Sequence, residues 1–113
     1  MNKLILERKE KEVFMEVRIQ SIHFDASEKL EAFIQKKVTK LEQYFDSIIS
    51  AEVTLKVVKP ETAMNKNANI LLKIKNGDCF AEKTEDSFEA AIDECVEALE
   101  KQLVKFKEKS RSK

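Results

Sequence analysis

A single glycine in 113 residues excludes the phosphate-cradling P-loop and the dinucleotide-binding turn, each of which needs at least two. With only one proline beside it, the chain is also poor in the turns that a loop-rich all-β protein requires. There is one histidine, His23, and no nucleophile elbow, so no active site can be put together from the sequence. His23 closes a strand and is expected to pack or cap rather than to bind a ligand. The only cysteines are Cys79 and Cys95, and a zinc site takes about four ligands. Cys95 falls on the apolar stripe of a helix, so a reduced core thiol in the cytosol outweighs a disulfide. No apolar run approaches the roughly 20 residues that cross a bilayer. The N-terminus also lacks the long apolar core and small-residue cleavage site of a signal peptide. The expected setting is cytoplasmic, with no membrane, no cofactor, no metal and no small-molecule substrate.

Net charge is missing as well. Lys plus Arg and Asp plus Glu each number 21, although charged residues make up 37% of the chain and hydrophobic ones 42%. The hydrophobic fraction fits one globular domain rather than disorder. A nucleic-acid binder is ordinarily basic overall, so any such reading here must rest on local asymmetry.

That asymmetry is in the last stretch, residues 85–113. Phe88, Ile92, Cys95, Leu99, Leu103 and Phe106 recur every three or four residues, the apolar stripe of a long helix. Asp86 or Ser87 is placed to cap it. From Glu82 to Glu100 there are eight acids and one base, a net of −7; from Lys101 to Lys113 there are six bases and one acid, a net of +5. The helix dipole favours this order of signs, but its effect fades within a turn and is worth about 0.3–1 kcal/mol per charge. A basic block of about three turns exceeds that need and suits either a polyanion or a solubilising tail. Lys101, Lys105 and Lys109 fall opposite the apolar stripe, where phosphates can run past them.

The rest of the chain supplies a platform. Residues 1–14 differ in pattern from the remainder and are expected to be a poorly packed extension, either a native leader or the product of a start codon upstream of Met15. Met15 to Ile22 alternates as a half-buried strand. Asp25 or Ser27 then caps a first helix, with Leu30, Phe33, Ile34, Val38 (or Lys37 by its stem), Leu41 and Phe45 inward and its end near Asp46. Lys29, Lys36 and Lys40 fall on its outer face, with Lys37 at the flank. A second strand is expected at 50–59, with Ala51, Val53, Leu55 and Val57 on one face, and Pro60 stops its ladder. A third strand at 67–75 turns Ile70, Leu72 and Ile74 inward. Asn76-Gly77 suits both central positions of a tight hairpin into a fourth strand at 79–84. The expected fold is α+β, a β-α-β-β-β-α two-layer sandwich with a four-stranded sheet and both helices on one face. One domain spans 15–109, with a basic tail at 110–113. The phenylalanines at 33, 45, 88 and 106 fall on core faces; Tyr44 lies beside one and suits either packing or base stacking. The carboxylates of 82–100 look like a solvated face.

These residues resemble a known family. FIQKKVTKLEQYFD (33–46), AEVTLKVVK (51–59) and, most specifically, DSFEAAIDECVEALEKQLVKFKEK (86–109) are similar to the ribosome hibernation-promoting factors, also called ribosome-associated inhibitor A or sigma-54 modulation proteins. The resemblance covers Met15 to Lys109 and implies a fold akin to double-stranded-RNA-binding domains. It further implies a non-enzymatic translation inhibitor that occupies the decoding channel of the small ribosomal subunit. There it would overlap the messenger and the A- and P-site transfer RNAs, and stabilise dormant ribosomes. Lys37 and Lys40, and Lys101, Lys105 and Lys107, match basic family positions. Ala98 and Val104 stand where many members carry Lys, so the basic surface is thinner there. A short form is implied, without the C-terminal dimerisation domain of long members.

The residues expected to contact rRNA are therefore Lys36, Lys37, Lys40, Lys101, Lys105, Lys107 and Lys109. The competing reading is a protein-interaction regulator, such as a modulator of an alternative sigma factor, docking through Glu89, Asp93, Glu97 and Glu100.

Overall fold

The computed structural model describes residues 15–45, 48–59, 63–75 and 77–111, with side chains as far as Glu108. The expectations for the extension 1–14, Asp46, Pro60, Asn76 and the end of the basic tail lie outside the described residues. The elements are β1 (Glu16–Ser21), α1 (Glu28–Thr39), a 3-10 turn (Lys40–Gln43), β2 (Ile48–Val57), β3 (Lys66–Ile74), β4 (Gly77–Glu85) and α2 (Phe88–Arg111). The chain thus has the expected β-α-β-β-β-α order and α+β class.

The sheet runs β1-β2-β3-β4. β1 lies parallel to β2, with Val17 opposite Ala51 and Ile19 opposite Val53. A parallel neighbour requires a crossover, and α1 is that crossover. β2, β3 and β4 pair antiparallel in sequence order. Alternation puts Ala51, Val53, Leu55, Ala68, Ile70, Leu72, Ile74, Cys79 and Ala81 on one face, all buried. Leu30, Ile34, Val38 and Leu41 of the first helical segment, and Ile92, Cys95, Val96, Leu99 and Leu103 of α2, bury against that face in one cluster. A fully buried side chain of this size contributes about 1.5–3 kcal/mol, and only one sheet face is spent on it. The open face carries Arg18, Glu52, Leu71 and Phe80 on one cross-strand row.

Serine caps both helices. The Leu30 amide donates to Ser27 Oγ at 3.0 Å, and the Ala90 amide to Ser87 Oγ at 3.1 Å. The aromatic residues fix the two helices end to end. Phe24 stacks on Phe88 with ring centroids 5.2 Å apart, and Phe45 meets Phe106 edge-on at 5.7 Å. Since the earlier residue of each pair meets the earlier end of α2 and the later residue its later end, the helices run side by side in the same direction. Four details differ from expectation. The α-helical part of α1 ends at Thr39, whose hydroxyl donates back to the Gln35 carbonyl at 2.8 Å; such back-bonding favours tightening of the backbone. Val57 is 41% exposed, because it closes β2 beyond the cover of the helices. Ile74 pairs with Gly77, so Gly77 already belongs to β4 rather than to the turn. His23 is exposed rather than packed, and its left-handed φ of 65° ends β1 through its backbone.

On the outer side of β4, α2 bonds to the strand itself. Gln102 Nε2 donates to the Phe80 carbonyl at 2.9 Å, and the Phe80 amide donates to Gln102 Oε1 at 3.3 Å. A side-chain amide thus fills the place of one residue of a fifth strand.

Both cysteines are free and buried. The Cys95 thiol points at two β-strand carbonyls, Ala68 O at 3.4 Å and Ala81 O at 3.7 Å. Burial pushes it from the ordinary 9.0 up to about 11; burial, then the Asp78 carboxylate, raises Cys79 as well. Between about pH 9 and about pH 11 the folded Cys95 keeps a proton that the unfolded thiol has lost, so the unfolded state is favoured progressively across that window. Folding stability should fall as pH rises through it, and Cys95→Ser should make the fall shallower. Denaturant melts at a series of alkaline pH values check this; parallel curves for the two proteins would refute it.

Candidate nucleic-acid interface

The apolar stripe fixes how α2 is rotated on the sheet, and with it where each charge points. Lys101, Lys105 and Lys107 are exposed on α2, as are Lys36 and Lys40 at the end of α1. The backbone of Lys109 continues the helix. Lys37 is half-buried and turned toward the other helix: its Nζ lies 3.0 Å from Asp93 Oδ1 and 5.6 Å from the centroid of the Phe33 ring. The ammonium of α1 nearest to α2 is therefore held by the acidic half of that helix, not by its neighbours in the basic half. With side-chain exposures of 32% and 52%, the pair is partly solvated and worth at most about 1 kcal/mol.

Two open concavities flank the basic half. One, of about 490 Å³, is lined by Tyr44, Glu100, Lys101, Gln102, Val104 and Lys105. The other, of about 330 Å³, is lined by Glu42, Gln43, Tyr44, Phe45 and Lys107. Tyr44 comes directly after the 3-10 turn and shares a wall with every α2 lysine whose side chain is described. Glu42 sits there for a structural reason, since its Oε2 accepts the Met15 amide at 2.9 Å and so holds the start of β1. Lys101 also lines a further concavity with Lys83, Glu94 and Glu97. It stands at the boundary where the helix changes sign.

The acidic half is crowded. A hydrogen bond shared with the Glu94 carboxylate pushes the Glu85 carboxyl up, burial and the Glu94 and Asp86 charges adding to it. Like-charge crowding of this kind repels a polyanion from the first turns of α2, while the last turns attract it. What the surface offers chemically is a set of exposed ammonium groups on α2 beside an aromatic ring, with two more exposed at the end of α1. The lysines were visible in the sequence. The Lys37–Asp93 pair was not, because it joins two helices 56 residues apart in the chain (93 − 37), and no local spacing signals that.

Two solved structures share this architecture. The Protein Y N-terminal domain of Thermus thermophilus superposes with a TM-score of 0.71 at 24% identity, covering 81% of this chain and 99% of that one. A ribosomal subunit interface protein from Coxiella burnetii gives 0.74 at 22% identity, covering 82% and 98%. At those identities the likeness is one of fold. The family itself is set by sequence: residues 17–111 match the family described as sigma 54 modulation protein / S30EA ribosomal protein, and the chain belongs to it. It is 34% identical over 95 residues to the ribosome hibernation promoting factor of Escherichia coli, covering 84% of this chain and 96% of the relative. It is 31% identical over 98 residues to that of Pseudomonas putida, covering 87% and 92%.

If the Lys37–Asp93 pair restrains a cation rather than stabilising the fold, Asp93→Asn should change unfolding free energy by less than about 1 kcal/mol. The same variant should elute from immobilised heparin at higher salt than the parent. A large loss of stability with unchanged elution would assign the pair a structural role instead.

Proposed function

We propose that this protein is a non-enzymatic translation inhibitor that binds the small ribosomal subunit through its rRNA and stabilises dormant ribosomes. The observation that carries this reading is that Lys101, Lys105 and Lys107 of α2, and Lys36 and Lys40 at the end of α1, are all exposed. It is supported by membership of a family whose relatives, at 31–34% identity, are named ribosome hibernation promoting factors. The finer reading is occupancy of the decoding channel, where the protein would overlap the positions of messenger and of A- and P-site transfer RNA. Lysine ammoniums engage phosphates whatever the base sequence, so the surface suits a partner recognised by shape and charge. Lys37 joins the set once its phosphate partner competes with Asp93. Lys109 extends it by one more turn of helix. A cytoplasmic location goes with that partner; among the described residues, no helix is long and apolar enough to cross a membrane. Docking of a sigma factor through Glu89, Asp93, Glu97 and Glu100 is less favoured, because Asp93 is already engaged by Lys37.

Co-sedimentation with separated ribosomal subunits across a salt series tests the reading. The protein should travel with the small subunit and dissociate as salt rises, with a log–log slope of about 0.7–0.9 per neutralised phosphate. Replacing Lys37, Lys40, Lys101 and Lys105 by Glu should abolish co-migration at moderate salt. Unaffected co-migration of that variant would sink the reading.

A further inference from the structure

We propose that Tyr44 is a stacking platform for one unpaired RNA base, with Lys101 and Lys105 holding the flanking phosphates. This rests on the rRNA-binding reading and adds to it a base-contacting site. Three observations carry it. Tyr44 is half-buried, so its ring is held in place by the core it packs against, yet one side remains open to the concavity. Val104, 40% exposed, lines the same concavity and adds apolar surface that a nucleobase can cover. Lys101 and Lys105, one helical turn apart, stand at the rim of the same concavity. Apolar floor and cationic rim together match the two halves of a nucleotide, a planar base and an anionic phosphate.

The surroundings also separate Tyr44 from the other aromatic residues on this side of the fold. Phe45 is engaged with Phe106, Phe24 with Phe88 and Phe33 with the Lys37 ammonium, whereas among the described residues no ring or cation contact involves Tyr44. Its backbone amide is satisfied by the Leu41 carbonyl at 3.0 Å, and no described residue bonds its hydroxyl. Glu100, on the same wall, would disfavour a phosphate directly against it. The phosphates are thereby directed toward Lys101 and Lys105, with the base lying over the ring. A base has to be free of pairing to reach the ring, so the site takes single-stranded or splayed-out RNA and not the continuous face of a duplex.

Binding of the parent, Tyr44→Phe and Tyr44→Leu to purified small subunits across a salt series decides the matter. Tyr44→Leu should weaken binding about 5- to 150-fold, the range that loss of one base–aromatic stack produces. Its salt slope should equal that of the parent, because no phosphate contact is lost. Tyr44→Phe should bind like the parent. Equal losses in both variants would show that the hydroxyl acts and would overturn stacking, as would a Tyr44→Leu protein that binds like the parent. If the parent itself does not bind small subunits at low salt, it is the underlying ribosome reading that fails. A measurement that needs no variant covers the case in which Tyr44→Leu unfolds. Tyr44 is the only tyrosine, so its ring-proton resonances are identifiable. In a titration with single-stranded oligoadenylate at low salt they should move upfield under the ring current of a stacked base. Resonances that stay in place up to millimolar oligonucleotide would overturn the proposal.

Discussion

The seating of α2 on one face of a mixed sheet is the constraint on which the rest of the molecule depends. Ile92, Cys95, Leu99 and Leu103 are all fully buried, and removing any of their counterparts in an ordinary core costs about 2–5 kcal/mol. That stripe leaves the helix no freedom to rotate about its axis. Every polar position is then fixed by what is left over: Asp93 faces α1, Glu94 and Lys101 face β4, and Gln102 reaches the strand edge. The charge pattern becomes a surface only because the apolar pattern has been satisfied first.

The sign change along α2 also explains how a chain with no net charge can suit a polyanion. The 24-residue helix is about 36 Å long at 1.5 Å per residue, several times the screening length of about 8 Å in physiological salt. A polyanion approaching one end therefore scarcely senses the other. Such a molecule gains little from its total charge but is turned by the field as it arrives, with the basic end leading. A field of this shape favours one orientation of approach before contact is made.

Much of this fold could be read from the sequence because its strands and helices each bury one face. Alternation at Ala51, Val53 and Leu55, and the three-to-four spacing from Ile92 to Leu103, each point to one solution. The differences arise where a single polar group or a neighbouring element decides. The Thr39 hydroxyl ends the α-helical part of α1 several residues before the apolar pattern does. The pairing of Ile74 with Gly77, imposed by the inward residues of β3 and β4, takes the glycine out of the turn and into a strand. The lysines of the candidate interface were legible as a run. Their partition was not, since Lys37 is claimed by an acid on another helix and Tyr44 becomes a wall only when the 3-10 turn lies against α2. Those are facts of tertiary packing, with no periodicity to announce them.

The amide of Gln102 has a consequence for assembly. A four-stranded sheet ordinarily has two edges, and a chain with two free edges can join neighbours on both sides and grow without limit. Here the middle of β4 is engaged at Phe80 by a side chain of its own helix. The helix that carries the exposed lysines therefore also interrupts one of the edges on which a further strand could be added.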